Sequence, residues 1–238
     1  MHQSNDQNNW ISFSDLMTAL MVIFMFMSIS YMLEINNKQE KRDAIFKKFK
    51  STKDDLYKEI NIEFGDDFQK WQVDFDRDLS IKFTNPELLF QSGETALKPY
   101  FKEILLSFFP RYFKIVNQEK YKNEIAEIRI EGHTDTVPAL KYDNDAYIGN
   151  IILSQLRSAE VLKLIRGTEY FKNLHPNDKQ LIQFWLTANG LSYGRTLDAN
   201  KNLTIYSKNP IDNNLSRRVE IKIITESEII IENVLKEL

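Results

Sequence analysis

One carboxylate lies in the most apolar part of the sequence. Asp15 belongs to WISFSDLMTALMVIFMFMSISYML, residues 10–33, and no other acidic residue occurs there. A charged side chain inside a bilayer costs about 3 kcal/mol on insertion scales, so an acidic residue in such a segment usually has a function. Moving one proton across 100 mV releases about 2.3 kcal/mol. We therefore predict that Asp15 takes up and releases ions during transport.

Small and polar residues surround Asp15 on one face of the predicted helix. At about 100° per residue, Ser12, Asp15 and Thr18 fall within an arc of about 120°. Met, Phe and Ile side chains cover the remaining faces. Such a face suits a protein partner or water better than lipid, so we expect Ser12 and Thr18 to support Asp15. The alternative is that Asp15 caps the helix at the membrane interface.

The segment that positions Asp15 is long enough to span a membrane. Residues 16–33 form an apolar run broken only by Thr18, Ser28 and Ser30. At about 1.5 Å per residue this run covers about 27 Å. Residues 1–9 contain no Lys or Arg, and no small-residue cleavage site follows the run, which disfavours a cleaved signal peptide. We predict a short tail over 1–9 and a retained single-pass helix over 10–33.

Composition excludes several classes of function. The 238 residues contain 31 basic and 34 acidic side chains, so no positive excess favours nucleic acid as a partner. Without Cys, neither disulfides nor a Cys-based metal site can form. We find no Gly-rich phosphate loop, nucleophile elbow or paired-His metal motif, and we interpret His133 as structural. The sequence predicts a protein that is not an enzyme and has no cofactor or metal.

A charged helix is predicted to follow the membrane span over residues 34–70. This segment lacks Pro, and Ile45, Phe49, Leu56 and Ile60 recur at helical spacing. One apolar stripe on a solvated helix results. The stripe could pack on the chain's own domain or pair with a second copy of the chain, and its pattern does not distinguish the two.

From residue 71 the pattern changes to a mixed domain. LSIKF and EIRIEG are typical of strands, GLSYGR of a strand edge or turn, and RRVEIKIIT of a last strand. Helices are predicted over residues 95–116, 150–167 and 177–188, and the tail 226–238 is potentially helical. These elements predict a single α+β domain over residues 71–225.

Four segments of this domain carry a family resemblance. IEGHTDTVP, NIILSQLRSAEVL, GLSYGRTLDAN and LSRRVEIKI occur in the order of the motifs of the OmpA-like peptidoglycan-binding domain. That resemblance implies a β/α/β/α/β-β fold. Together with the N-terminal span, the whole chain resembles the B subunits of ion-driven stator motors. These include the flagellar MotB subunit and the B subunit of the Zorya anti-phage defence system.

The resemblance also implies a binding site. In OmpA-like domains the residues that match Asp135 and Arg157 hold the diaminopimelate of the wall peptide. This chemistry is sensible, because a zwitterion needs an acceptor for its ammonium and a guanidinium fork for its carboxylate. Matching motif positions add further site residues, namely Thr134, Asn150, Leu153, Arg217 and Arg218. Ser216 stands where the family usually has Asn.

Partners and location follow from the same resemblance. It implies a surrounding ring of motor A subunits, a second copy of the chain and peptidoglycan as partners. It places the chain in the bacterial inner membrane with a cytoplasmic N-terminus and a periplasmic domain, although the basic residues after the span favour the opposite orientation. The coupled ion is a proton or sodium. Residues 1–9 lack the basic stretch of flagellar subunits, which favours the defence motor over a flagellar subunit or a passive wall tether.

Overall fold

The structure is a computed structural model that describes the backbone of residues 4–236 and the side chains of residues 13–233. The chain divides into two compact units, residues 1–48 and 49–238. Helix α1, Ser4–Trp71, contains the predicted span and the predicted charged helix. The domain boundaries at residues 9, 33, 70 and 225 remain predictions.

The first unit consists of the N-terminal part of α1. Its large apolar side chains between Phe13 and Leu33 are exposed, most of them by more than half of their surface. Among the described residues this is the one helix long and apolar enough to cross a membrane. By its length and composition, this part of α1 is a candidate membrane span.

The second unit is built on a mixed sheet of five strands. The strands are β1 (Val73–Phe75), β2 (Ser80–Phe83), β3 (Ile125–Gly132), β4 (Leu186–Gly190) and β5 (Val219–Thr225). Their spatial order is β1-β2-β5-β3-β4, and β3 and β4 are parallel while the other pairs are antiparallel.

Helices connect and cover these strands. They are α2 (Pro86–Leu89), α3 (Pro99–Val116), α4 (Glu119–Lys122), α5 (Ala146–Gly167), α6 (Glu169–Lys172), α7 (Pro176–Trp185), α8 (Thr204–Ser207), α9 (Asn213–Ser216) and α10 (Glu226–Lys236). The predicted α+β fold with an N-terminal apolar helix is confirmed.

One predicted helix is wrong at its C-terminal end. The segment 177–188 was expected to be helical throughout, but α7 ends at Trp185 and Leu186 begins β4. Leu186 pairs with Ile128 of β3 in parallel register. The LTANG sequence lacks strand alternation, so its extended conformation depends on hydrogen bonds to β3. Two smaller differences are the start of α3 at Pro99 rather than at residue 95 and the short strand β1, which was not predicted.

The C-terminal part of the α1 stripe packs on the chain's own domain. Leu56 and Ile60 are fully buried in the core, together with Phe64 and Phe68 further along the helix. The Phe64 ring lies 4.9 Å from that of Phe108 on α3, measured between centroids. For Leu56 and Ile60 the question left open by the sequence is therefore settled in favour of intramolecular packing.

An arginine on α3 fastens α1 to the domain. Arg111 donates from Nε to Glu63 and from Nη1 to Asp67, both at 2.6 Å. Its guanidinium also lies over the Phe64 ring at 4.5 Å from the centroid. Glu63 and Asp67, one turn apart on α1, therefore bind the same planar guanidinium group. This shared contact orients α1 on α3.

Helix α5 lies unusually close to the sheet at two glycines. Gly132 on β3 and Gly190 on β4 are direct partners in the parallel register. A Cβ atom on Gly132 would lie 2.2 Å from the Ser154 carbonyl oxygen, and one on Gly190 would lie 2.4 Å from the Gln155 amide nitrogen. Any larger residue would push α5 away, because both contacts are with helix backbone.

We predict that Gly190→Ala destabilises the chain by about 1–3 kcal/mol, because the added methyl group cannot fit between β4 and α5. Urea unfolding of the full-length chain measures the effect. Gly167→Ala is the matched control, since a Cβ there meets no atom within 4 Å. Equal stability of the two variants would contradict the close approach of α5.

Candidate functional site

A cavity of about 500 Å³ opens at the C-terminal end of β3. Its walls are the loop after β3, the N-terminal half of α5, the segment 86–93 and the chain just before β5. The structure brings all the binding residues predicted from the resemblance to this cavity, namely Thr134, Asp135, Asn150, Leu153, Arg157, Arg217 and Arg218. Their roles remain predictions.

The loop after β3 is held on both sides. The His133 amide donates to the Arg218 carbonyl, and the Thr134 amide donates to the Ser192 carbonyl, both at 3.0 Å. Asp135 Oδ1 then accepts from the Val137 amide at 3.1 Å and closes a tight turn. The loop therefore enters the cavity in a defined conformation.

The N-terminal half of α5 supports that loop. Asp145 caps the helix by accepting from the amides of Tyr147 and Ile148. Asn150 donates through Nδ2 to the carbonyls of Val137 and Ala146, each at 3.0 Å. The amide of Asn150 thus joins the loop to the helix.

Five polar atoms of residues that line the cavity are buried without a hydrogen-bond partner among the described residues. They are both ring nitrogens of His133, Thr134 Oγ1, Asp135 Oδ2 and Arg217 Nε. Asp135 Oδ2 lies 3.5 Å from Arg217 Nη1, which is an ion-pair distance. Leaving a buried polar atom unpaired costs about 1–3 kcal/mol, so such atoms are expected to meet a ligand or water. The arrangement offers one anionic acceptor beside one cationic donor.

Arg157 is a buried cation in the cavity wall. Its side chain reaches the segment before α3, where Nε donates to the Glu94 carbonyl at 3.0 Å and Nη2 to the Gln91 carbonyl at 3.5 Å. Burial lowers the pKa of Arg157 to about 10, so the guanidinium stays charged at neutral pH. The nearby charges of Asp135 and Glu94 oppose this shift.

Arg218 and Ser216 have structural contacts. Arg218 donates to Glu220 Oε2 and to the Arg195 carbonyl, both at 3.2 Å. Ser216 Oγ accepts from the Leu197 amide at 3.0 Å, so the residue that replaces the usual Asn still forms a polar bridge. These contacts fix the chain that enters β5 and position Arg217.

The sequence did not reveal the fourth wall of the cavity. Segment 86–93 and Lys98 line it, yet they match none of the recognised motifs. The one local signal is Gly93, whose φ of +70° suits a turn.

The predicted ion-transport residues lie on the exposed part of α1. Asp15 and Thr18 are both exposed, and Asp15 makes no hydrogen bond or ion pair with any other described residue. The Thr18 hydroxyl donates to the Ser14 carbonyl at 2.9 Å, so within this chain it satisfies the helix backbone rather than Asp15. The side chain of Ser12 falls outside the described residues.

Comparison with known proteins identifies the family. The chain is 36% identical over 237 residues to the Zorya protein ZorB of Escherichia coli (strain Crooks), covering 99% of this chain and 95% of that protein. The chain belongs to the ZorB family. No protein-family profile matches it.

Solved structures similar to this ZorB-family chain are periplasmic domains of MotB. One is 19% identical and covers 66% of this chain and 70% of that chain, with a TM-score of 0.40. The Helicobacter pylori MotB domain is 20% identical over 66% of this chain and 84% of that chain, also with a TM-score of 0.40.

His133 and Arg218 of the cavity lining belong to a cluster of charged side chains that is buried except for Arg195. Glu131 on β3 lies directly opposite Glu220 on β5, and His133 Nε2 lies 3.5 and 3.7 Å from their Oε2 atoms. Arg218 pairs with Glu220, and Arg195 Nη1 lies 3.7 Å from Glu131. Glu131, His133 and Glu220 are close enough together to hold a metal ion. Because two guanidinium groups already balance the two carboxylates, an ion-pair network explains these residues better.

Burial lowers the pKa of His133 below its usual value of 6.5. The unfolded chain binds this proton below about pH 6.5 while the folded chain excludes it, so stability falls as pH falls through that range. We predict a loss of up to about 1.4 kcal/mol per pH unit from this group. Urea unfolding between pH 7.5 and 5.5 measures it.

The test for His133 is the slope rather than the absolute stability. His133→Gln should flatten the dependence, because Gln cannot titrate. An unaltered slope in His133→Gln would show that His133 does not exclude a proton on folding.

Proposed function

We propose that this chain is the wall-anchored B subunit of an ion-driven inner-membrane rotary motor of the Zorya anti-phage defence system. Membership of the ZorB family supports the assignment to the Zorya defence system. The unpartnered polar atoms of Thr134, Asp135 and Arg217 in one cavity carry the wall-binding part of the proposal. The solitary Asp15 in an exposed apolar helix supports the motor part.

The cavity suits a zwitterionic ligand head such as that of diaminopimelate in a wall peptide. Asp135 Oδ2 accepts from the ligand's ammonium, and a guanidinium group donates to its carboxylate. Thr134 Oγ1 can donate or accept beside them. Buried Leu153 supplies an apolar surface for the aliphatic stem of the ligand. The chain therefore binds peptidoglycan rather than transforming a substrate.

The membrane helix couples ion flow to motion. A ring of motor A subunits surrounds two copies of the chain, and the A subunits cover the apolar side chains that α1 exposes. Asp15 alternates between its charged and neutral forms as protons, or sodium ions, pass. Each proton that crosses 100 mV supplies about 2.3 kcal/mol for rotation of the ring. The wall-bound domains keep the B subunits from turning with it.

This assignment requires one orientation in the membrane. Because peptidoglycan lies outside the inner membrane, the second unit is periplasmic and the N-terminus is cytoplasmic. The basic residues after the span oppose this orientation under the positive-inside rule, but that rule weakens where a long folded domain follows. A flagellar stator subunit would have the same orientation and the same two sites.

We predict that Asp135→Asn weakens binding to purified peptidoglycan roughly tenfold or more, because the amide loses the charge that pairs with an ammonium. The substitution keeps an oxygen for the Val137 amide, so the melting temperature should change little. Sedimentation of the full-length detergent-solubilised chain with peptidoglycan measures binding. Asp66→Ala, at an exposed position of α1, is the control. Full binding by Asp135→Asn would refute the wall site.

For the membrane site, Asp15→Asn should abolish phage protection while leaving assembly intact, since Asn is nearly isosteric with Asp but cannot exchange protons. Asp15→Glu keeps the carboxyl and should retain partial protection. Plaque counts at matched protein levels measure protection, and co-purification of the A subunit measures assembly. Wild-type protection by Asp15→Asn would favour a passive wall tether over a motor subunit.

A further inference from the structure

One long edge of the sheet is covered by a side chain instead of a strand. β4 is the outermost strand beyond β3, and the Leu191 amide that follows it donates to the Gly132 carbonyl of β3. Because the backbone groups of successive residues alternate between the two sides of a strand, Ala188 and Gly190 direct theirs to the outer edge. Unpaired groups in such a row are a template on which an extended segment of another chain can pair.

Gln155 of α5 meets these outer groups. Its Nε2 donates to the Ala188 carbonyl at 2.9 Å, and its Oε1 accepts from the Gly190 amide at 2.7 Å. In a parallel pair, one residue of an added strand would donate to that carbonyl and accept from that amide. The Gln155 side-chain amide thus presents the hydrogen-bonding pattern of one backbone residue.

We propose that the Gln155 side chain occupies the position of a sixth strand and so prevents the β4 edge from pairing with an extended segment of a second copy of this chain. This role is separate from the proposed wall-binding function, because Gln155 is not among the residues that line the cavity.

The sequence of β4 lacks the usual protection of a sheet edge. Leu186–Gly190 contains no charged residue and no Pro, which commonly keep sheet edges apart. The opposite edge strand, β1, has only three residues and carries Asp74, which pairs with Lys201 at 2.7 Å. A short, charged edge offers little to an added strand. The two edges of the sheet are therefore protected by different means.

The close approach of α5 places Gln155 at this edge. A Cβ atom on Gly190 would lie 2.4 Å from the Gln155 amide nitrogen, so the helix backbone already lies on the strand at this residue. Beside it, the Ser192 amide donates to the buried Ser154 hydroxyl at 3.1 Å. This second contact holds α5 against the sheet when the Gln155 side chain is altered.

The exchange rate of the Gly190 amide tests the contact. Gln155→Ala removes the acceptor, so we expect this amide to exchange roughly fivefold faster in the dilute full-length chain in detergent. Hydrogen–deuterium exchange with backbone fragmentation resolves Gly190. Gln155→Asn should behave in the same way, because it is one methylene group shorter. Lys163→Ala is the matched control on α5, since the exposed Lys163 pairs with Glu160 instead, and it should keep the wild-type rate.

Self-association tests the protective role. In sedimentation velocity, Gln155→Ala should form assemblies larger than those of the wild-type chain as the protein concentration rises, because the freed edge pairs with another copy. The Gly190 amide should then become protected again, since strand pairing satisfies it. The wild-type chain and Lys163→Ala should show no such growth.

Three results would overturn the proposal. Unchanged Gly190 exchange in Gln155→Ala would show that the side chain does not protect this amide. Faster exchange without larger assemblies at any concentration would show that the edge stays unpaired without Gln155. Larger assemblies in which the Gly190 amide still exchanges rapidly would have formed through another surface. If Gln155→Ala fails to fold, as judged by circular dichroism, the same three readings are taken from Gln155→Asn, which keeps a polar side chain.

Discussion

The cavity exists because the backbone of α5 lies directly on two neighbouring strands. Gly132 and Gly190 permit this contact, and α5 carries Asn150, Leu153 and Arg157 on the side that faces the cavity. The loop with the cavity's acceptor begins immediately after Gly132. Asn150 on α5 donates to the Val137 carbonyl of that loop at 3.0 Å, so the loop is joined to the helix that lies on the two glycines. The backbone contact of α5 at Gly132 and Gly190 thus determines where the polar side chains of α5 lie in the cavity.

Charge is distributed in two layers around this contact. In the lower layer, Glu131 and Glu220 are compensated by buried Arg218 and by half-exposed Arg195, and they lie beside His133, whose pKa is lowered by burial. In the cavity, Asp135 and Arg217 lie near each other without a hydrogen bond. The lower layer is already balanced and maintains the fold, because unpaired charge at that depth would be costly. The upper layer keeps unsatisfied atoms, which is the property expected of a binding surface.

Motif order predicted where the cavity residues would meet, because residues that share a site recur at similar spacings in related domains. Periodicity also located β3, β5 and α5. The wall at 86–93 was not predictable in this way. It is held by hydrogen bonds from the Arg157 guanidinium to the backbone carbonyls of Gln91 and Glu94, which lie more than sixty positions away in the sequence. Strand β4 was missed because neighbouring β3, rather than its own residues, makes it extended. The apolar stripe on α1 predicted a buried face. It did not show whether the chain's own domain or a second copy of the chain would bury that face, because periodicity carries no information on the partner.

The burial of that stripe has a mechanical consequence. Leu56, Ile60, Phe64 and Phe68 project from successive turns of one helix into a close-packed core. Turning α1 about its own axis would drag these four side chains through neighbours that have no room to yield. Pulling α1 along its axis would have to shear all four contacts together instead of opening them one by one. Residues 49–71 are therefore a torsionally stiff attachment, and a twist or tension that reaches them is borne by the whole domain.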